Sequence, residues 1–202
     1  MDTRKSLCKN TVISADRETW TEEHLKDAET IEVEIGFGSG EYLIRRASEH
    51  PDRLFIGIEK KPGMVTEVSK RVASRNLDNI RLIESCAKTA FADLFPACSV
   101  SRIYSLFPDP WPKRKHSKYR LFSTEYLCLV NNRLKVGGET LIVTDSADYY
   151  HWILRQTPDA GFEIEHGPIT PQFNTRFERI WLEQDFNTFF RILLKKTQQI
   201  KT

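Results

Sequence analysis

No apolar run in this chain approaches the roughly 20 residues that cross a bilayer, so no membrane-spanning helix and no membrane partner are expected. Cysteine is scarce: Cys8, Cys86, Cys98 and Cys128 form no C-x-x-C pair and no zinc-like spacing. Reduced thiols in a cytosolic protein follow from that, with no disulfide framework and no metal. Met1 to Lys5 lead into polar sequence without the apolar core of a secretory signal, so a cytoplasmic location is expected. A large excess of charge is missing too. Lys and Arg number 30 against 28 Asp and Glu, so nothing global demands a nucleic-acid partner and any basic surface has to be local. There is no internal repeat and no low-complexity segment.

What is present suits a soluble globular protein: 40% hydrophobic and 29% charged residues over 202 positions, enough for one α/β domain with a real core. Residues 1–29 read as an N-terminal arm ending in a short helix over 21–29, which Thr21 could cap; residues 30–202 read as the single globular domain.

The domain is organised around I-E-V-E-I-G-F-G-S-G, Ile31 to Gly40. A strand with Ile31, Val33 and Ile35 on one face runs into glycines at 36, 38 and 40, and a helical pattern starts at Glu41. Strand, glycine turn, helix is the first unit of a Rossmann-like, doubly wound, mostly parallel sheet with helices on both faces, here expected to have seven strands. Gly36, Gly38 and Gly40 let the backbone turn tightly and approach a ligand. A dinucleotide fingerprint would need a further glycine where Glu41 stands, so a pyrophosphate is disfavoured and a cationic or zwitterionic nucleoside is the better guest. The E-x-G-x-G-x-G form resembles the first motif of the S-adenosylmethionine-dependent methyltransferases.

Further strands are expected at 54–58, 80–83, 102–107, 140–143, 162–165 and 188–194, with helices near 41–50, 62–75, 124–134 and 146–156 and a short one through Phe91 and Leu94. Gly137-Gly138 reads as a helix stop, 167–174 as a loop with Pro168 and Pro171, and 175–178 as the start of a short helix.

Four carboxylates fall at carboxyl ends of these strands: Glu34, Glu59, Asp109 and Asp145. Such ends share one rim, so the four should converge on one crevice. Glu59 lies about twenty residues after the glycine loop, where an acid accepts hydrogen bonds from ribose hydroxyls. Asp109 sits in the rigid loop Pro108-Asp109-Pro110-Trp111-Pro112, where a fixed carboxylate can accept two hydrogen bonds from guanine and Trp111 can stack on a base. A basic run follows, Lys113 to Arg120, with no acid between Pro110 and Ser123; it suits phosphates, and Tyr119 interleaves an aromatic.

From Phe107 to Arg120 the sequence F-P-D-P-W-P-K-R-K-H-S-K-Y-R closely resembles the signature loop of the bacterial tRNA (guanine-N7-)-methyltransferases. E-I-G-F-G-S-G, the Thr144-Asp145 pair and T-R-F-E at 175–178 match that family in the same order, over roughly residues 30–194. The resemblance implies transfer of a methyl group from S-adenosylmethionine to N7 of a variable-loop guanine in tRNA. Glu34, Gly36, Gly38, Gly40, Glu59, Cys86, Ala87 and Asp109 would then form the donor site, with Asp109 the active-site carboxylate. Lys113, Asp145, Thr175, Arg176, Phe177 and Glu178 would contact the substrate, and Lys115, His116, Ser117, Lys118, Tyr119 and Arg120 the RNA. Cys86 departs from the aspartate usual at the family's adenine subsite, and a thiol is a weak hydrogen-bonder. No obligate protein partner is implied.

The residues leave two other readings open. An amino-group methyltransferase also carries a proline-rich loop after its fourth strand, but typically as Asp/Asn-Pro-Pro-aromatic, whereas one proline separates Asp109 from Trp111. A non-catalytic RNA-binding module on a methyltransferase fold is opposed by the intact glycine loop and Glu59. A nicotinamide dehydrogenase is disfavoured by Glu41.

Overall fold

The computed structural model describes residues 12–14, 25 and 28–198. The helix expected over 21–29 lies largely outside them; Leu25 is helical and buried.

Eight strands form one sheet among the described residues: β1 (Val12–Ser14), β2 (Ile31–Ile35), β3 (Leu54–Glu59), β4 (Ile80–Glu84), β5 (Val100–Leu106), β6 (Leu134–Thr144), β7 (Phe162–Ile169) and β8 (Phe189–Lys196). Their order is β1-β4-β3-β2-β5-β6-β8-β7. All pairings are parallel except β6 with β8 and β7 with β8. From residue 28 onward, six α-helices accompany them among the described residues: α1 (Glu41–Glu49), α2 (Pro62–Ser74), α3 (Ala87–Asp93), α4 (Thr124–Arg133), α5 (Ala147–Gln156) and α6 (Arg176–Leu182). The seven strands expected from 30 onward are all present, and the arm adds an eighth. β1 pairs in parallel with β4, Ile13 opposite Ile83. Three residues are too few for a period-two pattern, so nothing local announced that strand.

Alternation along the central strands builds a core on each face. Ile31, Val33, Ile56 and Ile58 meet Phe91, Tyr126, Leu127 and Tyr149 from α3, α4 and α5. On the other face Phe55 and Leu82 meet Leu43, Ile44 and Ala47 of α1 and Val65, Val68 and Val72 of α2. Each fully buried aliphatic side chain contributes about 1.5–3 kcal/mol, so α2 rests mainly on its valine stripe. A third cluster, Tyr42, Tyr104, Leu106, Val143, Phe173 and Phe189, covers the β5–β6–β8 half.

Two boundaries differ from expectation. Gly137 and Gly138 do not stop α4. The helix ends at Arg133 because Leu134 turns to extended backbone (φ −68°, ψ 144°) and buries its side chain, and the glycine pair sits inside β6 where its register with β5 shifts. β7 continues through Pro168 to Ile169, which shortens the expected loop. It is an edge strand, and an edge tolerates proline because half its N–H groups have no neighbouring strand to bond.

The sheet order reverses between β2 and β5, which puts the crevice of a doubly wound sheet beside the glycine loop. Hydrogen bonds join the strand ends there: Gly36 N–H to the Ile58 carbonyl (2.7 Å), Ser85 N–H to the Glu59 carbonyl (3.0 Å) and Phe107 N–H to the Val143 carbonyl (2.7 Å).

Candidate active site

The glycine loop closes with Gly40 N–H on the Phe37 carbonyl (2.7 Å). Gly36, Gly38 and Gly40 have φ of 72°, 51° and 68°. Gly40 is required twice over: its φ is left-handed, and a Cβ there would lie 2.7 Å from the Val68 side chain of α2. At Gly36 a Cβ would meet nothing within 4 Å, so the loop is open on that side.

Glu59, at the end of β3, holds the loop from below. One carboxylate oxygen accepts the Gly38 N–H at 3.2 Å; the other accepts the N–H groups of Lys60 and Lys61 at 2.8 and 3.0 Å. A carboxylate offers about four lone-pair sites, so room for one more donor remains.

Glu34 lies elsewhere than expected. It is buried beneath the loop, accepts the backbone N–H of Leu43 in the first turn of α1, and leaves Oε2 without a hydrogen-bond partner. Burial pushes its carboxyl up to about 8, offset in part by the Leu43 N–H and Arg45. Asp109 and Asp145 therefore reach the surface of the rim, whereas Glu59 is buried against the glycine loop and Glu34 lies beneath it. Asp145, after β6, is half-buried, and that burial raises its carboxyl above the ordinary aspartate value.

Cys86 caps α3. Its sulfur accepts the Thr89 N–H at 3.5 Å and lies 3.0 Å from the Thr89 hydroxyl, the position and partner an aspartate cap would take. The thiol is exposed at the end of β4, and Ala87 behind it is buried.

Asp109 is two-thirds exposed and pairs with Lys60 Nζ at 3.5 Å. Lys60 also stands 6.0 Å from the centre of the Trp111 ring. Lys60 belongs to no motif in the sequence; its place at a strand end is the one signal that could have found it. Phe107 and Trp111 have positive φ, 57° and 45°, an uncommon backbone for large side chains that clusters at functional loops. A 3₁₀ turn, Arg114–Tyr119, carries the basic run. Lys113, Lys115 and Lys118 are exposed, Ser117 is half-buried, and His116 and Tyr119 pack around Trp111 with ring centres 5.8 and 5.4 Å from it.

Arg120 departs from its expected RNA contact. Its side chain is 6% exposed, bonded to the Pro110 carbonyl and paired with Asp148, too enclosed to meet a phosphate. The segment 175–178 divides in the same way. Thr175 caps α6 through the Glu178 N–H (3.1 Å), and Glu178, 1% exposed, accepts the N–H groups of Gln172, Phe173 and Asn174. Both shape the loop. Arg176 and Phe177 face outward, and the Phe177 ring lies 5.0 Å from that of Phe107. Arg45 donates to the Phe173 carbonyl and Arg179 pairs with Glu41, both at 2.6 Å, so this loop is clipped to α1 by two contacts that no local motif announces.

A family model described as "Putative methyltransferase" matches residues 28–189. A tRNA (guanine-N(7)-)-methyltransferase of Chlorobium phaeobacteroides is 74% identical over 202 residues, covering 100% of this chain and 99% of that one. The chain belongs to the bacterial tRNA (guanine-N7-)-methyltransferase family. A second member, from Aquifex aeolicus, is 34% identical over 85% of this chain, which spans 58% of its length. Two solved structures share the fold. One is an antibiotic-related methyltransferase (TM-score 0.68, 21% identity, 92% of this chain and 96% of that one). The other is a Catenulisporales acidiphilia 16S rRNA (adenine(1408)-N(1))-methyltransferase with cosubstrate SAM (TM-score 0.66, 16% identity, 93% and 94%).

The methyltransferase family is S-adenosylmethionine-dependent, and the residues present fit that donor. The loop is open at Gly36, where a Cβ would project into the space a ligand could take, and Glu59, holding the loop at Gly38, offers about four lone-pair sites to three backbone donors. No described helix is long and apolar enough to cross a membrane.

Proposed function

We propose that this protein transfers a methyl group from S-adenosylmethionine to N7 of a variable-loop guanine in tRNA, with Asp109 orienting the acceptor. The observation that carries this is the juxtaposition of the open glycine loop, Glu59 and the rigid Asp109–Trp111 loop on one rim, with Lys60 joining the two halves. The same reading puts the protein in the cytoplasm with its tRNA substrate.

Gly36, Gly38, Glu59 and the Cys86-Ala87 turn would hold the donor, Glu59 by accepting from a ribose hydroxyl. Ala87 would floor the adenine end, and Cys86, already engaged by Thr89, would add little beyond the backbone there. Glu34 would act from below by fixing the first turn of α1. When bound, S-adenosylmethionine supplies an electrophilic methyl on a sulfonium centre.

Guanine N7 carries an in-plane lone pair and no proton, so the attack needs no general base. The protein's task is placement, N7 in line with the methyl at near-attack distance. Asp109 would accept from the guanine edge and leave its salt bridge with Lys60, whose ammonium then turns toward a phosphate or the Trp111 face. Lys113, Lys115 and Lys118 would meet the RNA backbone, with His116, Ser117 and Tyr119 beside them. Asp145, Arg176 and Phe177 would border the acceptor.

Transfer of labelled methyl to unmodified tRNA, mapped by cleavage specific to 7-methylguanosine, tests this reading. Label at a single variable-loop guanine is expected. Label on an exocyclic amino group would support an amino-group methyltransferase. Donor binding with no label on any tRNA would return the binding-module reading.

A further inference from the structure

Arg120 ends the basic run but is its one cation that the fold encloses among those with described side chains. The guanidinium packs against the rings of Tyr149 and Trp152, 5.4 and 5.3 Å from their centres, which lie 5.7 Å from each other. Its Nε donates to the Pro110 carbonyl at 2.9 Å, and a terminal nitrogen pairs with Asp148 at the start of α5. Its own N–H bonds the Ser117 carbonyl at 3.1 Å, which fixes where the 3₁₀ turn stops. Arg120 therefore ties the beginning of the 110–120 loop to its end, and both to α5.

The Pro110 carbonyl belongs to the peptide plane between Pro110 and Trp111. Its orientation is set by the torsion of Pro110 on one side and the φ of Trp111, 45°, on the other. A left-handed backbone is disfavoured at a non-glycine residue, so the loop keeps that shape only if something holds it. Released, this plane would rotate and carry Asp109 and Trp111 away from the rim. A planar guanidinium can stack on two rings and donate in two directions at once; an ammonium cannot.

We propose that Arg120 is a positioning residue: it holds the Pro110–Trp111 peptide so that Asp109 and Trp111 face the acceptor, and it makes no contact with RNA. This rests on the proposed function for what the loop positions, but not for the clamp itself.

The test compares wild type, Arg120→Lys, Arg120→Gln and Asp148→Asn; the last removes only the outer, exposed partner and so keeps the fold. Arg120→Lys should lower kcat for tRNA methylation about tenfold or more, because small misplacement of a positioning group is enough for that. Donor affinity should stay within about twofold, and the salt slope of tRNA binding should not change even in Arg120→Gln, which removes the charge, since no phosphate contact is lost. Asp148→Asn should move kcat the same way by a smaller factor. Trypsin should cut faster after Lys113 and Lys115 in Arg120→Lys and Asp148→Asn. In Arg120→Gln, a salt slope reduced by about one with kcat intact at saturating tRNA would make Arg120 a phosphate contact and overturn the proposal. So would an Arg120→Lys enzyme as active as wild type. If wild type methylates no tRNA, the function reading fails, and the tryptic rates decide on Arg120: faster cutting upholds the clamp, unchanged cutting overturns it.

Discussion

Asp109 and Glu34 show how position along the same kind of strand end separates two carboxylates. Asp109 stands in solvent on a loop stiffened by prolines, with Lys60 as its one ion partner among the described residues. Asp109→Ala should lower turnover by about a hundredfold or more and leave donor affinity nearly unchanged, as expected for a group that only orients the acceptor. Equal loss of both, read by isothermal titration and steady-state kinetics, would assign Asp109 to the donor instead. Glu34 has the opposite environment, and burial lifts its carboxyl from 4.5 to about 8. A raised folded-state value means the native protein holds a proton that the unfolded chain has released, so its contribution to stability is full below pH 4.5 and is lost as pH rises toward 8. Glu34→Gln keeps the neutral shape without that cost. Urea unfolding without donor should show the variant gaining on wild type from about pH 5, with the gap levelling above about pH 8; a constant gap across this window would mean Glu34 is ionised in the native state.

At the scale of elements, the loop before α6 depends on one buried carboxylate accepting three backbone N–H groups. A glutamine there offers one carbonyl oxygen and turns an amide N–H2 toward donors. Glu178→Gln should therefore destabilise the protein by about 2–3 kcal/mol in urea unfolding, since charge-assisted hydrogen bonds are lost inside the fold. Loss of tRNA affinity with unchanged stability would instead make Glu178 a substrate ligand. The elements themselves were largely legible: apolar alternation marks β2, continuous apolar runs mark β3, and Pro62 and the valine spacing mark α2. What misled were local signals overridden by distant ones. Gly137-Gly138 looks like a helix stop, yet burial of Leu134 had already ended the helix. Pro168 looks like a loop, yet it falls on a sheet edge, and which strand is the edge is a property of topology.

Across the whole molecule, the convergence of strand ends was legible because a doubly wound sheet places all its carboxyl ends on one side. The direction of each side chain was not. Glu34 points into the layer under α1, Arg120 folds back against two rings, and Arg45 and Arg179 reach across more than a hundred residues of sequence to clip the 172–179 segment to α1. None of this follows from residue type or spacing. The near-neutral net charge gives a further expectation, because attraction to RNA has to come from the local run. Replacing Lys113, Lys115 and Lys118 together by glutamine should weaken tRNA binding and reduce its salt slope by about three, roughly one per phosphate contact; an unchanged slope would place the RNA on another surface.

The central claim is that N7 of the target guanine is the atom this crevice presents to the methyl donor. It is tested most directly with a tRNA whose variable-loop guanine is replaced by 7-deazaguanine, which keeps the N1 and N2 hydrogens for Asp109 but has no N7 lone pair. The account predicts that this tRNA binds as well as the unmodified one, competes with it, and accepts no methyl group. Methyl transfer to the substituted residue at a comparable rate would contradict it.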